Sequence, residues 1–250
     1  MIFLVILLVW LWMILPGRSK AFPNQKYYAH RGLYNEDQSV MENSLEAFAL
    51  AIEHGYGAEF DVQLSRDEEV VVFHDARLSR MFNRVDKVSD LTVEELKAIN
   101  IPTLKKVLAL FSGQQPIIIE LKNHSNIELL CAKVAALLDD YDGEFMVESF
   151  DPRIVFWFRR HRSKFIRGQL LMSVAQYDEK MAGLLLISLL YNFLTRPHFL
   201  ATHYRMKMRF YGWLMPLLGV KRVLWTEHWE NVRPIEKMDA IIFEFSEPVS

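Results

Sequence analysis

The regular alternation of short apolar runs with amphipathic stretches constrains the fold of this chain more than any other feature. Helical patterns such as Ser44–His54 and Asn126–Asp140 separate most of the apolar runs. Strands that alternate with crossover helices pair in parallel and are covered by helices on both faces. The predicted strands are Tyr27–His30, Ala58–Val62, Val70–His74, Ile117–Leu121, Phe145–Ser149, Phe165–Leu171, Phe199–Ala201, Lys221–Trp225 and Ala240–Phe243. The pattern therefore predicts an α/β protein.

One of these runs does not fit a parallel sheet. The stretch between Asp61 and Val70 is too short for a parallel crossover but long enough for a hairpin through Arg66–Glu69. Val70–His74 is therefore predicted to be a return strand that brings His74 back to the level of Asp61. The remaining eight strands suit a single TIM-type (β/α)8 barrel over residues 21–250, and the chain of 250 residues, 51% of them apolar, is large enough to fill its core.

The N-terminus has a different composition. The sequence from Met1 to Leu15 is uninterruptedly apolar, and as a helix it would measure about 22 Å against a hydrocarbon core of roughly 30 Å. A cleaved signal peptide is the alternative, but no basic residue precedes the run and no small-x-small cleavage site follows it. We therefore expect residues 1–20 to form a short transmembrane or signal-anchor helix with its linker.

Charge also bears on location and partners. Arg18, Lys20 and Lys26 all follow the apolar segment, so the positive-inside rule predicts a membrane-anchored domain on the cytoplasmic side. The net charge of −2, with Lys and Arg spread along the chain, gives no basic stripe for nucleic acid. Cys131 is the only cysteine, which excludes an intrachain disulfide and predicts a buried thiol. The oligomeric state stays open.

Ionisable residues stand at the carboxyl ends of four predicted strands. Glu59 and Asp61 are one residue apart in a strand, so they share a face with Cα atoms about 6.6 Å apart. Two carboxylates so close repel unless a cation lies between them. Glu120 and Lys122 repeat this spacing, and His30-Arg31 and His74 end two other strands. This is the end of the strands at which α/β barrels carry their active sites.

The residue types indicate a chemistry. Three converging carboxylates form a hard oxygen site that suits Mg²⁺, Ca²⁺ or Mn²⁺. A cation, Arg31 and Lys122 would neutralise a phosphate ester, while His30 and His74 would transfer protons. Glycoside hydrolysis is the weaker interpretation, because the paired carboxylates lie on one strand and the two basic residues stay unexplained.

The motifs in this order resemble the glycerophosphodiester phosphodiesterase family. The matching segments are His30-Arg31-Gly32, Glu42-Asn43-Ser44, Glu59-Phe60-Asp61, His74-Asp75 and Glu120-Leu121-Lys122. The resemblance is strong over about residues 27 to 151. Weaker echoes follow at Ser149-Phe150-Asp151 and Trp225-Thr226.

The resemblance implies a TIM-type barrel that hydrolyses glycerophosphodiesters to an alcohol and glycerol 3-phosphate in lipid metabolism. It implies Glu59, Asp61 and Glu120 as ligands of one divalent cation, His30 and His74 as general base and acid, and Arg31 and Lys122 as phosphate-binding groups. Asn43 either contacts the metal or phosphate or caps the next helix. Glu148 either faces the barrel mouth or lies outward, and Trp225 is a further candidate for the site.

Other features leave alternatives open. The family usually closes with a Thr-Asp-x-Pro strand end, whereas this chain has Phe243-Glu244-Phe245. The apolar stretch Leu184–Leu194 is either a helix buried on the barrel or an apolar flank that docks on lipid. Two alternative functions follow: a lysophospholipase D-like phosphodiesterase on membrane lipids, or a catalytically inactive, membrane-tethered binding barrel.

Overall fold

The computed structural model describes residues 2–17, 22–176, 180–204, 206, 214, 216–227 and 238–245. Its strands are β1 (Tyr27–His30), β2 (Gly57–Leu64), β3 (Val70–Val72), β4 (Ile117–Leu121), β5 (Phe145–Ser149), β6 (Ile166–Leu171), β7 (Phe199–His203), β8 (Lys221–Glu227) and β9 (Ala240–Phe243). All except β3 pair in parallel, and β1 pairs with both β2 and β9, so the ring is closed. The predicted (β/α)8 barrel is confirmed, with strand ends that differ from the predicted ones by at most two residues.

The predicted hairpin is confirmed as well. β3 pairs antiparallel with β2 and lies outside the ring, with Val62 opposite Val72. The amide of Phe73 donates to the carbonyl of Asp61 at 3.0 Å, so the segment returns to the level of Asp61 as expected. This pairing places His74 beside the end of β2.

Helices surround the ring. They are α1 (Ile2–Ile14), α2 (Leu45–Glu53), α3 (Ser79–Phe82), α4 (Val93–Lys97), α5 (Leu104–Phe111), α6 (Ile127–Asp139), α7 (Pro152–His161), α8 (Lys180–Ile187) and α9 (Asn192–Thr195), with 3₁₀ turns at Val88–Asp90 and Val174–Gln176. The starts of α2 and α6 follow from the sequence, because Ser44 and Asn126 accept hydrogen bonds from amides in the first turn.

The core has two layers, as strand alternation requires. Side chains such as Ile118 and Phe199 fill the barrel interior, whereas Ile117 and Ile119 pack outward with the helices. Gly168 leaves room for this filling, since a Cβ there would lie 2.1 Å from the Phe199 ring. The predicted burial of Cys131 is confirmed, because its side chain is fully buried in the outer layer.

The predicted transmembrane anchor is not supported. Among the described residues no helix is long and apolar enough to cross a membrane, and α1 has 13 residues. Its end is attached to the barrel, because Ile14 is buried and its carbonyl accepts from the side chain of Asn192 at 3.0 Å. Arg18 and Lys20 lie outside the described residues, so the cytoplasmic orientation stays a prediction.

The late apolar section is buried on the barrel only in part, and its docking on lipid stays a prediction. Leu186 and Leu189 are buried against the barrel, whereas Met181, Leu184 and Leu185 on α8 are exposed. The apolar stretch is therefore a packed flank with an uncovered outer face.

Candidate active site

The strand ends bring the predicted residues together at one mouth of the barrel. Parallel register places His30 beside Glu59, Asp61 beside Glu120, and Glu120 beside Glu148. A cleft of about 210 Å³ opens there, lined by His30, Arg31, Glu59, His74, Glu120, Lys122, Glu148, Phe150, Leu170, Met172, Trp225 and Ile242. The polar lining residues come from β1 to β5 and the segments that follow these strands. The apolar ones come from the end of β5 and from β6, β8 and β9, so the cleft has a charged wall and an apolar wall.

Glu59, Asp61 and Glu120 form a compact carboxylate cluster. One oxygen from each lies within 4.8 Å of the others, and all three side chains are buried. The Oε1 atom of Glu59 is buried without a hydrogen-bond donor among the described residues. Buried carboxylates without donors are costly unless a cation completes them, so the cluster fits a hard divalent ion.

The three carboxyl groups divide into two kinds. Burial, together with the charges of Asp61 and Glu120, raises the pKa of Glu59 well above its usual range. Burial also raises the pKa of Glu120, although Lys122 opposes this effect. Burial acts on Asp61 in the same direction, but Lys122 and the neighbouring cations outweigh it and hold the pKa far below its usual range. Negative charge is therefore concentrated on Asp61.

This arrangement predicts a stability effect for Glu59→Gln in metal-free protein. A carboxyl whose pKa is raised on folding destabilises the fold as pH rises from its unfolded pKa, about 4.3, through its folded pKa. We expect Glu59→Gln in EDTA at pH 8 to be more stable by on the order of 1 kcal/mol, or ~2–4 °C in Tm. The gain in stability should vanish near pH 4, where the Glu59 carboxyl of the unsubstituted protein is protonated in both the folded and the unfolded chain. Thermal unfolding at several pH values measures it.

Glu53→Gln is the matched control, because Glu53 ends α2 on the exposed surface. It should shift Tm little at any pH. A Glu59→Gln variant that is less stable than the native chain at pH 8 in EDTA would show that the buried carboxylate is satisfied without a cation.

Both histidines are held through Nδ1 by a carboxylate. The Nδ1 atom of His30 lies 2.5 Å from Oε1 of Glu244, and that of His74 lies 2.6 Å from Oδ1 of Asp75. In the neutral ring this partner fixes the proton on Nδ1 and leaves the lone pair on Nε2. The Nε2 atom of His30 lies 3.6 Å from Glu59, so it faces the carboxylate cluster.

The surroundings of the His30–Glu244 pair determine its protonation. Burial lowers the pKa of His30, and the charge of Arg31 adds to this effect. Burial acts to raise the pKa of Glu244, but the hydrogen bond with His30 outweighs it and lowers the pKa to about 2. The hydroxyl of Tyr34 donates to the same carboxylate at 2.9 Å. The pair is therefore a neutral imidazole on a carboxylate that is held in place from two sides.

Two basic side chains lie against the cluster. Arg31, whose φ of 55° is in the left-handed region, places its Nε 3.5 Å from Asp61 and donates from Nη1 to Glu42 at 2.8 Å. Lys122 Nζ lies 2.7 Å from Asp61 and 2.8 Å from Glu120. Both cations thus share Asp61 as a partner, which explains its low pKa.

Arg80 connects the ion pair of Arg31 with that of His74. Its guanidinium donates to Glu42 at 2.6 Å and to Asp75 at 2.6 Å. Glu42 in turn accepts from Arg31, and Asp75 holds His74. This chain of ion pairs fixes the positions of a predicted phosphate-binding residue and a predicted catalytic residue relative to each other.

The three further candidates also lie at the mouth. The Asn43 amide donates to Asp61 at 3.0 Å, and because Ser44 caps α2, the capping alternative for Asn43 is wrong. Glu148 lines the cleft and is buried, so its inward alternative is the observed one, and burial raises its pKa well above the usual range. Trp225 lines the apolar wall, where its ring meets Phe150 edge-on at 5.5 Å.

Sequence reasoning missed three residues of the mouth, namely Glu244, Tyr34 and Arg80. A signal for Glu244 was present, because it directly follows the apolar strand β9, much as Glu120 stands near the end of β4. Its chain position beyond the strong motifs, and its place in a segment that departs from the family pattern, hid that role. Nothing in the spacing of Tyr34 or Arg80 indicates their partners.

The closed barrel and the acidic cluster at the carboxyl ends of its strands define a TIM-type barrel with a candidate cation site. The chain belongs to the glycerophosphoryl diester phosphodiesterase family, whose sequence model matches residues 30–216. The resemblance inferred from the motifs is thus confirmed.

Individual relatives agree with this assignment. A glycerophosphodiester phosphodiesterase of Bacillus altitudinis is 38% identical over 114 residues, which cover 39% of this chain and 45% of that protein. A lysophospholipase D of Mus musculus is 32% identical over 153 residues, covering 53% of this chain and 47% of that protein. The chain spans about half the length of these curated relatives. The crystal structure of a glycerophosphodiester phosphodiesterase from Thermotoga maritima matches with a TM-score of 0.67 and 28% identity, covering 89% of this chain and 96% of that one.

Proposed function

We propose that this protein hydrolyses glycerophosphodiesters to an alcohol and glycerol 3-phosphate with the help of one divalent cation. The observation that carries the proposal is the composition of a single cleft. Three clustered carboxylates, two imidazoles oriented by carboxylates, and two basic side chains converge there. A phosphodiester needs charge neutralisation and two proton transfers, and this set of groups supplies both.

Glu59, Asp61 and Glu120 would hold the cation, and their all-oxygen donor set suits Mg²⁺ or Ca²⁺, with Mn²⁺ also compatible. The bound ion would supply Lewis-acid polarisation and neutralisation of the phosphate. Asn43 supports this arrangement by holding Asp61 through its side-chain amide. Glu148, buried next to Glu120 in register, adds a further carboxyl group beside the cluster.

His30 and His74 would transfer the protons. His30 is neutral because its pKa is lowered, and its Nε2 lone pair faces the carboxylate cluster. It therefore serves as the base that takes the proton from the hydroxyl group that attacks the phosphorus atom. His74 is more exposed than His30, and Asp75 orients its ring through Nδ1, so that Nε2 would face the leaving alcohol. His74 therefore serves as the acid that protonates the leaving alcohol.

Arg31 and Lys122 would bind the phosphate oxygens. Both lie at the edge of the carboxylate cluster, and each keeps an ion-pair partner that fixes its position. Their charges would offset the negative charge that accumulates on the phosphoryl oxygens during the reaction.

The direct test is hydrolysis of glycerophosphocholine by the full chain, followed by enzymatic detection of choline and glycerol 3-phosphate. We expect turnover with Mg²⁺ or Ca²⁺, complete loss in EDTA and recovery when the cation is restored. Turnover that is indifferent to EDTA would contradict the metal assignment. Metal binding without turnover on any phosphodiester tested would favour the inactive binding barrel instead.

A second candidate, cleavage of lysophospholipids, is favoured by the apolar wall of the cleft. Phe150, Leu170, Met172, Trp225 and Ile242 line the side opposite the carboxylates. Such a wall offers contact area to an acyl chain, which glycerophosphocholine lacks. A higher kcat/KM for lysophosphatidylcholine than for glycerophosphocholine would identify the lysolipid as the better substrate. Met172→Lys should then weaken only the lysolipid reaction.

A further inference from the structure

The first two turns of α1 form an apolar projection from the barrel. The eight consecutive residues Ile2–Val9 are all large and hydrophobic, and each is between 49% and 89% exposed. Eight residues make more than two turns, so every side of the helix is uncovered. A contiguous apolar surface of this size on a folded protein marks an interaction site.

The C-terminal end of α1 is held on the barrel by hydrogen bonds and by burial. Arg196 donates to the carbonyls of Trp12 and Leu15 at 2.8 and 2.7 Å, and Ile14 is buried. The amide of Gly17 donates to the carbonyl of Pro197 just before β7. The projection is therefore a rigid extension of the barrel rather than a separate segment.

The shape of the projection indicates which partner covers it. A helix that is apolar around its whole circumference requires an apolar medium on all sides, whereas a protein surface covers one face. Ile2–Val9 would reach about 12 Å, which is close to one leaflet of a hydrocarbon core of roughly 30 Å. The described helix Ile2–Ile14 measures about 20 Å, which is shorter than that core.

Residues at the base of the projection suit the lipid headgroup region. Trp10 and Trp12 follow the exposed segment, and the Arg196 guanidinium lies 5.0 Å from the centre of the Trp12 ring. Trp at the interface and basic side chains beside it are the usual anchors on an anionic membrane surface. Arg159 of α7 adds a second positive charge beside α9, because its guanidinium donates to the carbonyls of Phe193 and Leu194.

We propose that Ile2–Val9 inserts into one leaflet of a lipid bilayer and holds the barrel at an anionic membrane surface. The inference rests on α1 and its base and is independent of the proposed activity. Leu186 of α8 packs in one cluster with Ile14, and Met181 and Leu184 on the same helix are exposed.

Flotation of the full chain with vesicles of phosphatidylcholine and phosphatidylglycerol tests the proposal. We expect the double variant Leu4→Glu/Leu8→Glu to lower vesicle partitioning by at least about a hundredfold, because each carboxylate must enter hydrocarbon. Val85→Glu is the matched control, since Val85 is 83% exposed on a distant loop, and it should bind like the native chain. Unaltered partitioning of the double variant would overturn the proposal. The proposal would also be overturned if the native chain did not bind vesicles and instead formed dimers that the double variant abolishes.

A depth measurement separates one-leaflet insertion from other arrangements. Cys131 is fully buried with a pKa raised by burial to about 12, so single cysteines introduced at Phe3 and Leu15 can be labelled selectively. We expect the label at position 3 in the hydrocarbon and the label at position 15 at the headgroups. Reaction of the label at position 3 with a quencher trapped in the vesicle lumen would show a spanning helix and overturn the proposal.

Turnover of water-soluble glycerophosphocholine distinguishes a failure of this proposal from a failure of the proposed function. Leu4 and Leu8 are exposed and are not among the residues that line the cleft, so the double variant should keep native turnover on that substrate. Loss of membrane binding with turnover retained is the expected result.

Discussion

His74→Ala is expected to lower kcat on glycerophosphocholine by about 10²–10⁴-fold, the usual contribution of a general acid. The ring is partly exposed and its hydrogen-bond partner among the described residues is the adjacent Asp75, so its removal leaves the barrel intact. The measurement is kcat under saturating substrate and cation, with Tm as a check on folding.

A change of leaving group makes this prediction specific to the acid role. A p-nitrophenyl ester of glycerol 3-phosphate releases a stable phenolate and needs no protonation. His74→Ala should therefore lose far less activity on this ester than on glycerophosphocholine. An equal loss on both substrates would move the acid role to another residue. His161→Ala is the matched control, because His161 lies at the exposed end of α7 and should keep native activity.

Asp61→Asn is expected to abolish cation-dependent turnover and to destabilise the metal-free fold. Asp61 is fully buried and is the shared partner of Lys122 and Arg31, so its neutral replacement removes a proposed metal ligand and leaves two partly buried basic side chains underpaired. We expect a loss of at least about 10³-fold in kcat/KM and about 1–3 kcal/mol in the free energy of unfolding. Urea unfolding in EDTA and cation titration by calorimetry measure the two effects.

The sign of the stability change separates Asp61 from Glu59. The pKa of Asp61 is lowered on folding, so its contribution is present above its unfolded pKa of about 3.9 and is lost as pH falls further. Asp61→Asn should thus destabilise at pH 8, where Glu59→Gln stabilises. Asp142→Asn, at an exposed position before β5, is the control for loss of one carboxylate. Stabilisation by Asp61→Asn at pH 8 would contradict the charge distribution of the cluster.

Much of the fold follows from local sequence pattern. Apolar runs became strands at nearly the predicted bounds, because burial on both faces demands continuous apolar sequence in parallel strands. The hairpin at β3 was predictable since chain length alone forbids a parallel crossover. The prediction of a membrane-spanning helix rested on the composition of residues 1–15. It is not supported, because the helix in this apolar segment has only 13 residues.

Part of the candidate site also follows from local sequence pattern. Glu59 and Asp61 had to share a face because strand side chains alternate, and parallel neighbours carry Glu120 to the same level. Asn43 could not be assigned from sequence, because Asn suits a helix cap as well as a polar contact. Its observed contact depends on a left-handed backbone at position 43 that turns the side chain toward Asp61.

The sequence alone determined the barrel and most of the groups at its mouth, since both follow from periodicity and strand order. Only the tertiary structure decided how those groups are partnered. Glu244 reaches His30 across 214 positions of the chain, and Arg80 joins Glu42 to Asp75. Ring closure brings Glu244 to His30 by placing β9 beside β1, whereas Arg80 on α3 meets Glu42 from the loop after β1 and Asp75 from the loop after β3. The protonation of His30 and the placement of His74 therefore depend on the folded chain.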